Sequence, residues 1–204
     1  MSKNRVERKL RKQFNHVVKL IPRHLRKAFE KHAYIAGGCF YSINNRKKVN
    51  DYDFFIDNEK LAGELKDYFT EFTHGDKIKR GKYRKHDILI TQNAITIDRK
   101  YQIVFKYSGK PHEVCQDFDF KHNMFAYYHQ QIREYTDWHY LETKRIAYND
   151  SRTRDICGAL QRIPKMVEKG FIVPKSEISK MLNNLEKKGF TESEKEIIRD
   201  NNTY

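Results

Sequence analysis

The chain contains little cysteine, and its cysteines are not spaced for a disulfide framework or a zinc site. Three occur among 204 residues, at positions 39, 115 and 157, with no CxxC pair and no Cys/His pair at zinc spacing. Reduced thiols are therefore expected. No apolar run approaches the roughly 20 residues that span a bilayer, and the N-terminal MSKNRVERKLRKQF lacks the apolar centre of a signal peptide. These absences predict a cytoplasmic chain with no membrane partner.

Acidic residues are outnumbered, and the positive charge lies mainly in two segments. The net charge is +14, while 13 Tyr and 13 Phe supply enough apolar bulk for a core and exclude global disorder. Residues 1–32 hold eleven Lys or Arg against two Glu, and a second basic cluster spans residues 77–85. Such clusters favour a polyanion partner, although a solvated helix face has the same composition. The candidate nucleic-acid contacts are Arg8, Lys12, Arg80 and Arg84.

Hydrophobic periodicity predicts helices at both ends of the chain and strands between them. The expected helices are 4–20, 25–31, 58–72, 136–147, 151–169, 174–188 and 191–199. The expected strands are 33–36, 51–56, 86–90, 93–97, 101–107 and 118–128, with a loop or hairpin around Gly81. This order predicts an α+β fold: a mixed sheet of about five strands, flanked by helices, with a helical C-terminal extension. We expect three parts, namely basic N-terminal helices (1–32), a core (33–135) and a helical region (136–204).

The segment YIAGGCFYSINNRKKVNDYDFFID carries the clearest chemical signal. Gly37 and Gly38 follow a strand and permit a tight turn, where backbone N–H groups can approach a phosphate. Asp51 and Asp53 are separated by one residue, so a strand places both carboxylates on the same face. Two such carboxylates repel one another unless a cation neutralises them, and hard oxygen ligands suit Mg²⁺. Two ions held about 3.5–4 Å apart would suit phosphoryl or nucleotidyl transfer.

Two other aspartate motifs fit this segment poorly. An EF-hand loop continues with oxygen ligands and a glycine, but Phe55 and Ile56 stand at those places. A phosphoaspartate phosphatase has its aspartates after a hydrophobic strand, whereas here the apolar run follows them.

A strand, Gly-Gly, a short helix and then Asp-x-Asp resemble the signature of the DNA polymerase beta-like nucleotidyltransferase superfamily. The resemblance implies that Gly37 and Gly38 hold a nucleoside triphosphate and that Asp51 and Asp53 bind two Mg²⁺ ions. The expected nucleotide-binding set is completed by Ser42 and by Lys47 and Lys48, whose charges would offset the triphosphate.

The superfamily also uses a third carboxylate on a later strand. The block NAITIDRKYQIVFKYSGKPHEVCQDFDF resembles short nucleotidyltransferase-like proteins, including ones encoded by large bacteriophages, and implies Asp119 as catalytic base or metal ligand. Asp117 is the nearby alternative. If Gln102 occupies the place of the third acid, the site is damaged or inactive. A phage origin would place the chain in the host cytoplasm.

Farther along, LQRIPKMVEKGFIVPKSEISKML is similar to the neck helix of transfer-RNA nucleotidyltransferases and bacterial poly(A) polymerases, with Arg162, Gly170 and Phe171 at matching positions. Two features of the transfer-RNA enzymes are missing, namely an Arg-Asp pair after the glycines and a Glu-Asp-x-x-Arg run. Addition of CCA specifically is therefore not expected.

Together these resemblances imply an Mg²⁺-dependent nucleotidyltransferase that moves a nucleoside monophosphate from a triphosphate to a hydroxyl, with the 3′ end of a transfer-RNA-like RNA as favoured acceptor. Two alternatives stay open. One is a toxin-like enzyme that modifies a protein or a transfer RNA. The other is a non-catalytic RNA-binding or regulatory protein that keeps the fold.

Overall fold

A computed structural model of the chain describes residues 3–152 and 155–199. Their fold is α+β, as predicted, with one mixed sheet flanked by helices. The strands are β1 (Ala33–Ala36), β2 (Tyr52–Ile56), β3 (Thr73–His74), β4 (Lys79–Tyr83), β5 (His86–Ile90), β6 (Ala94–Ile97), β7 (Tyr101–Val104), β8 (Phe125–Tyr128) and β9 (Gln131–Glu134). The α-helices are α1 (Lys3–Leu20), α2 (Arg26–His32), α3 (Cys39–Asn44), α4 (Glu59–Thr70), α5 (Pro111–Gln116), α6 (Ile156–Gln161), α7 (Ile163–Glu168), α8 (Lys175–Lys188) and α9 (Glu192–Arg199). None of the described helices is long and apolar enough to cross a membrane.

Within the described residues the sheet has nine strands in the order β3-β4-β5-β6-β7-β2-β1-β8-β9, so the expectation of about five strands was wrong. Among these nine strands, β2 and β7 are parallel neighbours, and the other seven pairs are antiparallel. Because directly paired residues point to the same side of a sheet, the register defines two faces. The front face carries Asp53, and the back face carries its neighbour Phe54.

The back face is covered by α1 and α4. In α1, the buried residues Val6, Leu10 and Val17 recur at helical spacing, which is why this segment folds as an amphipathic helix. Phe14 of α1 lies 5.9 Å from Phe54, measured between ring centroids. In α4, Phe69 packs against Tyr83 of β4 at 5.3 Å.

The front face is covered only in part by α5. Val114 and Cys115 of this helix pack against Tyr34 and Phe55, which closes the front of β1 and β2. Towards β4 the front face opens to solvent: Leu89, Thr96 and Gln102 are half-buried, and Arg80 is exposed.

Two segments differ from the sequence prediction. In the predicted strand 118–128, Phe120 forms an isolated β-bridge and residues 121–123 form a 3₁₀ turn, which leads into the strand β8. The predicted helix 136–147 is reduced to the 3₁₀ turn Trp138–Leu141. The following chain is held extended by long-range bonds, because Tyr148 bridges Phe120 and its N–H donates to the Glu177 carboxylate at 2.6 Å.

The C-terminal helices are shorter than expected. Where one helix was predicted over 151–169, the described residues form two, α6 and α7. The break coincides with Pro164, which occupies the first turn of α7 and has no N–H to donate. The predicted capping box of the last helix is present: Thr191 N–H donates to Glu194 at 2.8 Å, and Glu194 N–H donates to the Thr191 hydroxyl at 3.2 Å. Residues 153–154 and 200–204, which fall in the predicted helical region, lie outside the described residues. The three-part division of the chain stays a prediction.

Candidate nucleotide-binding site

The turn between β1 and α3 brings backbone close to the Asp-x-Asp pair. Gly37 has a φ of 90°, a conformation that favours glycine. A side chain built on Gly37 would place its Cβ 3.8 Å from Asp53 Oδ2. The two halves of the motif are thus adjacent in the folded chain, because β1 pairs with β2 and Ala36 is directly opposite Asp53.

The two aspartates occupy different surroundings. Asp51 is exposed just before β2, whereas Asp53 is half-buried within that strand. Burial, and then the charge of Asp51, raises the pKa of the Asp53 carboxyl from 3.8 to about 7. The buried Cys39 thiol senses both carboxylates as well: its pKa is raised by burial and by the charges of Asp53 and Asp51. The site therefore concentrates negative charge that a cation would relieve.

A cavity of about 180 Å³ opens beside Asp51. It is lined by Gly38, Cys39, Tyr41, Ser42, Lys47, Lys48, Val49, Asn50, Asp51, Lys169 and Phe171. The structure thus brings together Gly38, Ser42, Lys47, Lys48 and Asp51, which the sequence analysis selected as a set.

Aromatic and basic side chains meet at the wall of this cavity. The rings of Tyr41 and Phe171 lie 4.5 Å apart. The Lys47 ammonium lies 5.1 Å from the Tyr41 ring and 5.7 Å from the Phe171 ring. It also donates to the backbone oxygen of Lys169 at 3.4 Å. This contact joins the loop after α3 to the segment after α7.

A second cavity of about 260 Å³ adjoins the first and shares Gly38, Tyr41, Ser42, Lys169 and Phe171 with it. Its wall includes the buried His122, whose ring stacks at 4.8 Å on Phe171. Burial, and then the charge of Lys169, lowers the pKa of His122 to about 3, so the ring is neutral. Within the described part of the chain, His122 Nδ1 and Asn123 Oδ1 have no hydrogen-bond partner. Lys165 and Arg162 add positive charge to this cavity.

Asp119 lines the second cavity, but arginines hold its carboxylate. Arg152 Nη1 lies 2.7 Å from Asp119 Oδ1, and Arg162 Nη1 donates to Oδ2 at 2.7 Å. Asp155 binds the same two guanidinium groups, at 3.1 Å and 3.0 Å. Burial raises the pKa of Asp119, and the two arginine charges oppose that shift. The expectation that Asp119 begins a strand was wrong, because it lies in the loop after α5.

No group of three or more His, Cys, Asp or Glu side chains within residues 3–152 and 155–199 is placed to hold a metal ion. The structure therefore does not bring Asp119 into a three-carboxylate cluster with Asp51 and Asp53. The position beside Asp53 on the neighbouring strand is Gln102. The alternative Asp117 caps the end of α5. The Asp51–Asp53 pair alone still fits Mg²⁺, which proteins commonly bind through one or two carboxylates plus substrate phosphates.

The four candidate nucleic-acid contacts lie on two sides of the sheet. Arg8 and Lys12 are exposed on α1, which covers the back face. Arg80 belongs to the front-face row that contains Asp53. Arg84, at the β4–β5 turn, has its guanidinium 4.9 Å from the ring of Tyr83, a back-face residue.

Sequence reasoning missed several residues that line the two cavities, above all Lys169, Tyr41 and His122. The Gly170-Phe171 pair was a usable signal, since Lys169 directly precedes it. The Asp119–Arg152 pairing had no local signal.

The fold is that of nucleotidyltransferase-like proteins. The structure is similar to a CCA-adding enzyme in its apo form I, with 15% identity and a TM-score of 0.52 over 90% of this chain and 44% of that chain. A CCA-adding enzyme in complex with ATP is similar at 16% identity and a TM-score of 0.52, again over 90% and 44% of the two chains. The Thermotoga maritima CCA-adding enzyme complexed with tRNA_CCA is similar at 14% identity and a TM-score of 0.50 over 87% and 45%.

The chain belongs to the Gabija anti-defense 2 family, whose sequence model matches residues 8–149. That match includes the whole sheet and ends before α6. The chain spans less than half the length of the solved structures it resembles. No curated protein matches it.

Proposed function

We propose that this chain is an Mg²⁺-dependent nucleotidyltransferase of the DNA polymerase beta-like superfamily. It would transfer a nucleoside monophosphate from a triphosphate to an acceptor hydroxyl and release pyrophosphate. The observation that carries the proposal is the position of the glycine turn beside Asp53, next to a cavity lined by Ser42 and the two lysines after α3.

Each side chain in the cavity has a role that follows from its chemistry. Lys47, Lys48 and Lys169 offset the charge of the triphosphate, and Gly38 lets backbone approach it without a Cβ. The neighbouring rings of Tyr41 and Phe171 offer an aromatic surface to a nucleobase.

Asp51 and Asp53 would hold Mg²⁺, which when bound neutralises phosphate charge and polarises the phosphoryl group under attack. The raised pKa of Asp53 supports this assignment, because burial, and then the charge of Asp51, disfavour the charged carboxylate that a bound cation would favour. Two ions remain our expectation by resemblance. To Asp119 we assign the positioning of Arg162 at the second cavity, since both of its oxygens already face guanidinium groups.

RNA is the favoured acceptor, and its 3′ hydroxyl is the group that we expect to receive the nucleotide. The net charge of +14 favours a polyanion, and one similar structure contains a transfer RNA. The family's name connects its members with countering a defence called Gabija. Nucleotide transfer to an RNA or a protein of such a defence would be one way to counter it.

The test is incorporation of label from each of the four α-³²P nucleoside triphosphates, with Mg²⁺, into total RNA and total protein. We expect Asp51→Asn combined with Asp53→Asn to abolish incorporation. The matched control is Asp67→Asn, which removes an exposed carboxylate from α4 and should leave incorporation unchanged. Undiminished labelling by the double variant would refute the proposal, and the labelled polymer identifies the acceptor.

A second function, nucleotide binding without transfer, is favoured by one specific observation: Gln102 rather than an acid stands beside Asp53. In that case the chain binds a triphosphate, as measured by calorimetry, while no label is incorporated with any RNA or protein fraction. Loss of triphosphate binding in the double aspartate variant would then show that the same site is used.

A further inference from the structure

One row of paired residues crosses the front face from the candidate site to β4, the strand next to the edge strand β3. Its members, each opposite the next on the neighbouring strand, are Asp53, Gln102, Thr96, Leu89 and Arg80. Neighbouring strands lie about 4.8 Å apart, so the row extends about 19 Å from Asp53 to Arg80. We call the residues Gln102, Thr96, Leu89 and Arg80 the front row.

The far end of the front row is basic. A shallow groove of about 560 Å³ lies there, and Arg80, Arg99, Leu89 and Asp87 are among the residues that line it. Both arginines are exposed, and neither forms an ion pair within the described residues. Arg80 and Gly81, which line this groove, belong to the basic cluster of residues 77–85. Lys82 of the same cluster has its Nζ 4.0 Å from Asp87 Oδ1. Two unpaired guanidinium groups facing one groove suit phosphate oxygens.

The back of the sheet offers no comparable route to the site. Its central residues are covered by α1 and α4, through contacts such as Phe14 with Phe54. The basic residues of α1 therefore lie behind the sheet, on the side away from Asp53. A bound polymer whose end lies at Asp53 would therefore contact the front row before it reached α1.

We propose that the front row, together with Arg99, is the track for the backbone of a nucleic-acid strand whose reacting end lies at Asp51 and Asp53. Phosphates contact Arg80 and Arg99, and the Thr96 hydroxyl and Gln102 amide offer neutral hydrogen-bonding groups between them and the site. At about 3.4 Å per nucleotide of a stacked strand, the 19 Å track accommodates roughly five to six nucleotides. Only the position of the reacting end rests on the proposed function; binding along the track does not.

Fluorescence anisotropy of end-labelled single-stranded RNA and DNA, without Mg²⁺ or triphosphate, tests the track. Affinity should rise with oligonucleotide length up to about six nucleotides and then level off. Arg80→Gln combined with Arg99→Gln should lower the slope of log K against log salt by about 1.4, because each phosphate contact on a single strand contributes about 0.7. The charge-preserving pair Arg80→Lys and Arg99→Lys should keep most of the slope.

The matched control is Lys60→Gln combined with Lys66→Gln, which removes the same charge from α4, at the back of the molecule. We expect its salt slope to equal that of the unchanged chain. The inference would be overturned if the control variant lost as much salt slope as the Arg80→Gln, Arg99→Gln variant, or if that variant lost none. It would also be overturned if no oligonucleotide bound, a result that would point to a protein acceptor.

The two proposals fail separately. Asp51→Asn with Asp53→Asn should bind the oligonucleotide as tightly as the unchanged chain or more so, because two negative charges are removed. If nucleotide transfer is absent while the Arg80→Gln, Arg99→Gln variant has a lower salt slope, the enzymatic proposal fails and the track proposal stands. If nucleotide transfer proceeds while the Arg80→Gln, Arg99→Gln variant binds the oligonucleotide as the unchanged chain does, the track proposal fails.

Discussion

Asp53 and Gln102 are directly paired across the parallel strands β2 and β7, so a carboxylate and an amide lie side by side on the front face. The amide offers an oxygen to a cation but no charge. It also adds no repulsion to Asp53, whose pKa is already raised to about 7 by burial and by Asp51. The negative charge at the site therefore depends on which residue occupies position 102, and glutamine adds none.

Replacing Gln102 with glutamate should strengthen Mg²⁺ binding. A further carboxylate about 5 Å from Asp53 attracts a divalent ion strongly, so we expect at least about a tenfold rise in affinity by isothermal titration. Thr96→Glu is the control, since Thr96 lies one strand farther away. An equal effect of the two substitutions would show only general electrostatic attraction. If Gln102→Glu also produces nucleotide transfer where the unchanged chain has none, the native site lacks only this acid.

In metal-free buffer, Asp53 should make stability fall as pH rises. Its folded pKa of about 7 lies above its ordinary value of 3.8, so folding favours the protonated form. The stabilisation is complete below about pH 4 and is lost as pH approaches and passes 7. Asp53→Asn, which cannot ionise, should therefore exceed the unchanged chain by about 1–3 kcal/mol in free energy of unfolding at pH 8, and by little at pH 4.

Urea unfolding with EDTA at both pH values measures this difference. Adding Mg²⁺ at pH 8 should then stabilise the unchanged chain and leave Asp53→Asn unaffected. A variant that is less stable than the unchanged chain at pH 8 would contradict the expected repulsion at this site.

Lys47 should contribute to triphosphate binding more than to the chemical step. Its ammonium lies at the cavity wall, over Tyr41 and Phe171. Lys47→Met removes one charge but keeps the apolar stem, so triphosphate affinity should drop about five- to tenfold, which corresponds to about 1–1.4 kcal/mol. Lys66→Met, an exposed change on α4, is the control. Calorimetric titration with each triphosphate measures the affinity of both variants. Equal affinities would show that Lys47 does not contribute to triphosphate binding.

The first half of the fold was predictable because its signals are local. Apolar residues at helical spacing define α1, and Gly37 with Gly38 marks the turn after β1. The missed strand β4 has no apolar alternation, since its sequence is KRGKY; it is held by backbone pairing with β5. Gly81 also permits a close approach that no local pattern reveals, because a Cβ there would lie 1.9 Å from the backbone oxygen of Phe72.

The grouping of residues at the candidate site was predictable for the same reason, namely that its signals are local. Gly38, Ser42, Lys47 and Asp51 lie within one short segment, and their meeting follows from a strand, a turn and a strand. The partners of Asp119 come from much later in the chain, Arg162 being 43 residues away. Burial made a partner for Asp119 necessary, but both a metal ion and an arginine satisfy that requirement, and only the tertiary structure distinguishes them.

Asp119 should prove essential to stability and dispensable for Mg²⁺ binding. Asp119→Asn removes the charge that balances the buried Arg152 and the half-exposed Arg162, and breaking such a pair on one side costs about 2–4 kcal/mol. Because Asp155 also binds both guanidinium groups, part of the network survives and the variant should still fold. Urea unfolding measures the loss, and calorimetry with Mg²⁺ measures the ion affinity, which we expect within about twofold of the unchanged chain. A variant that keeps its stability but loses Mg²⁺ affinity would return Asp119 to the metal site, because carboxylates that share an ion must converge on it.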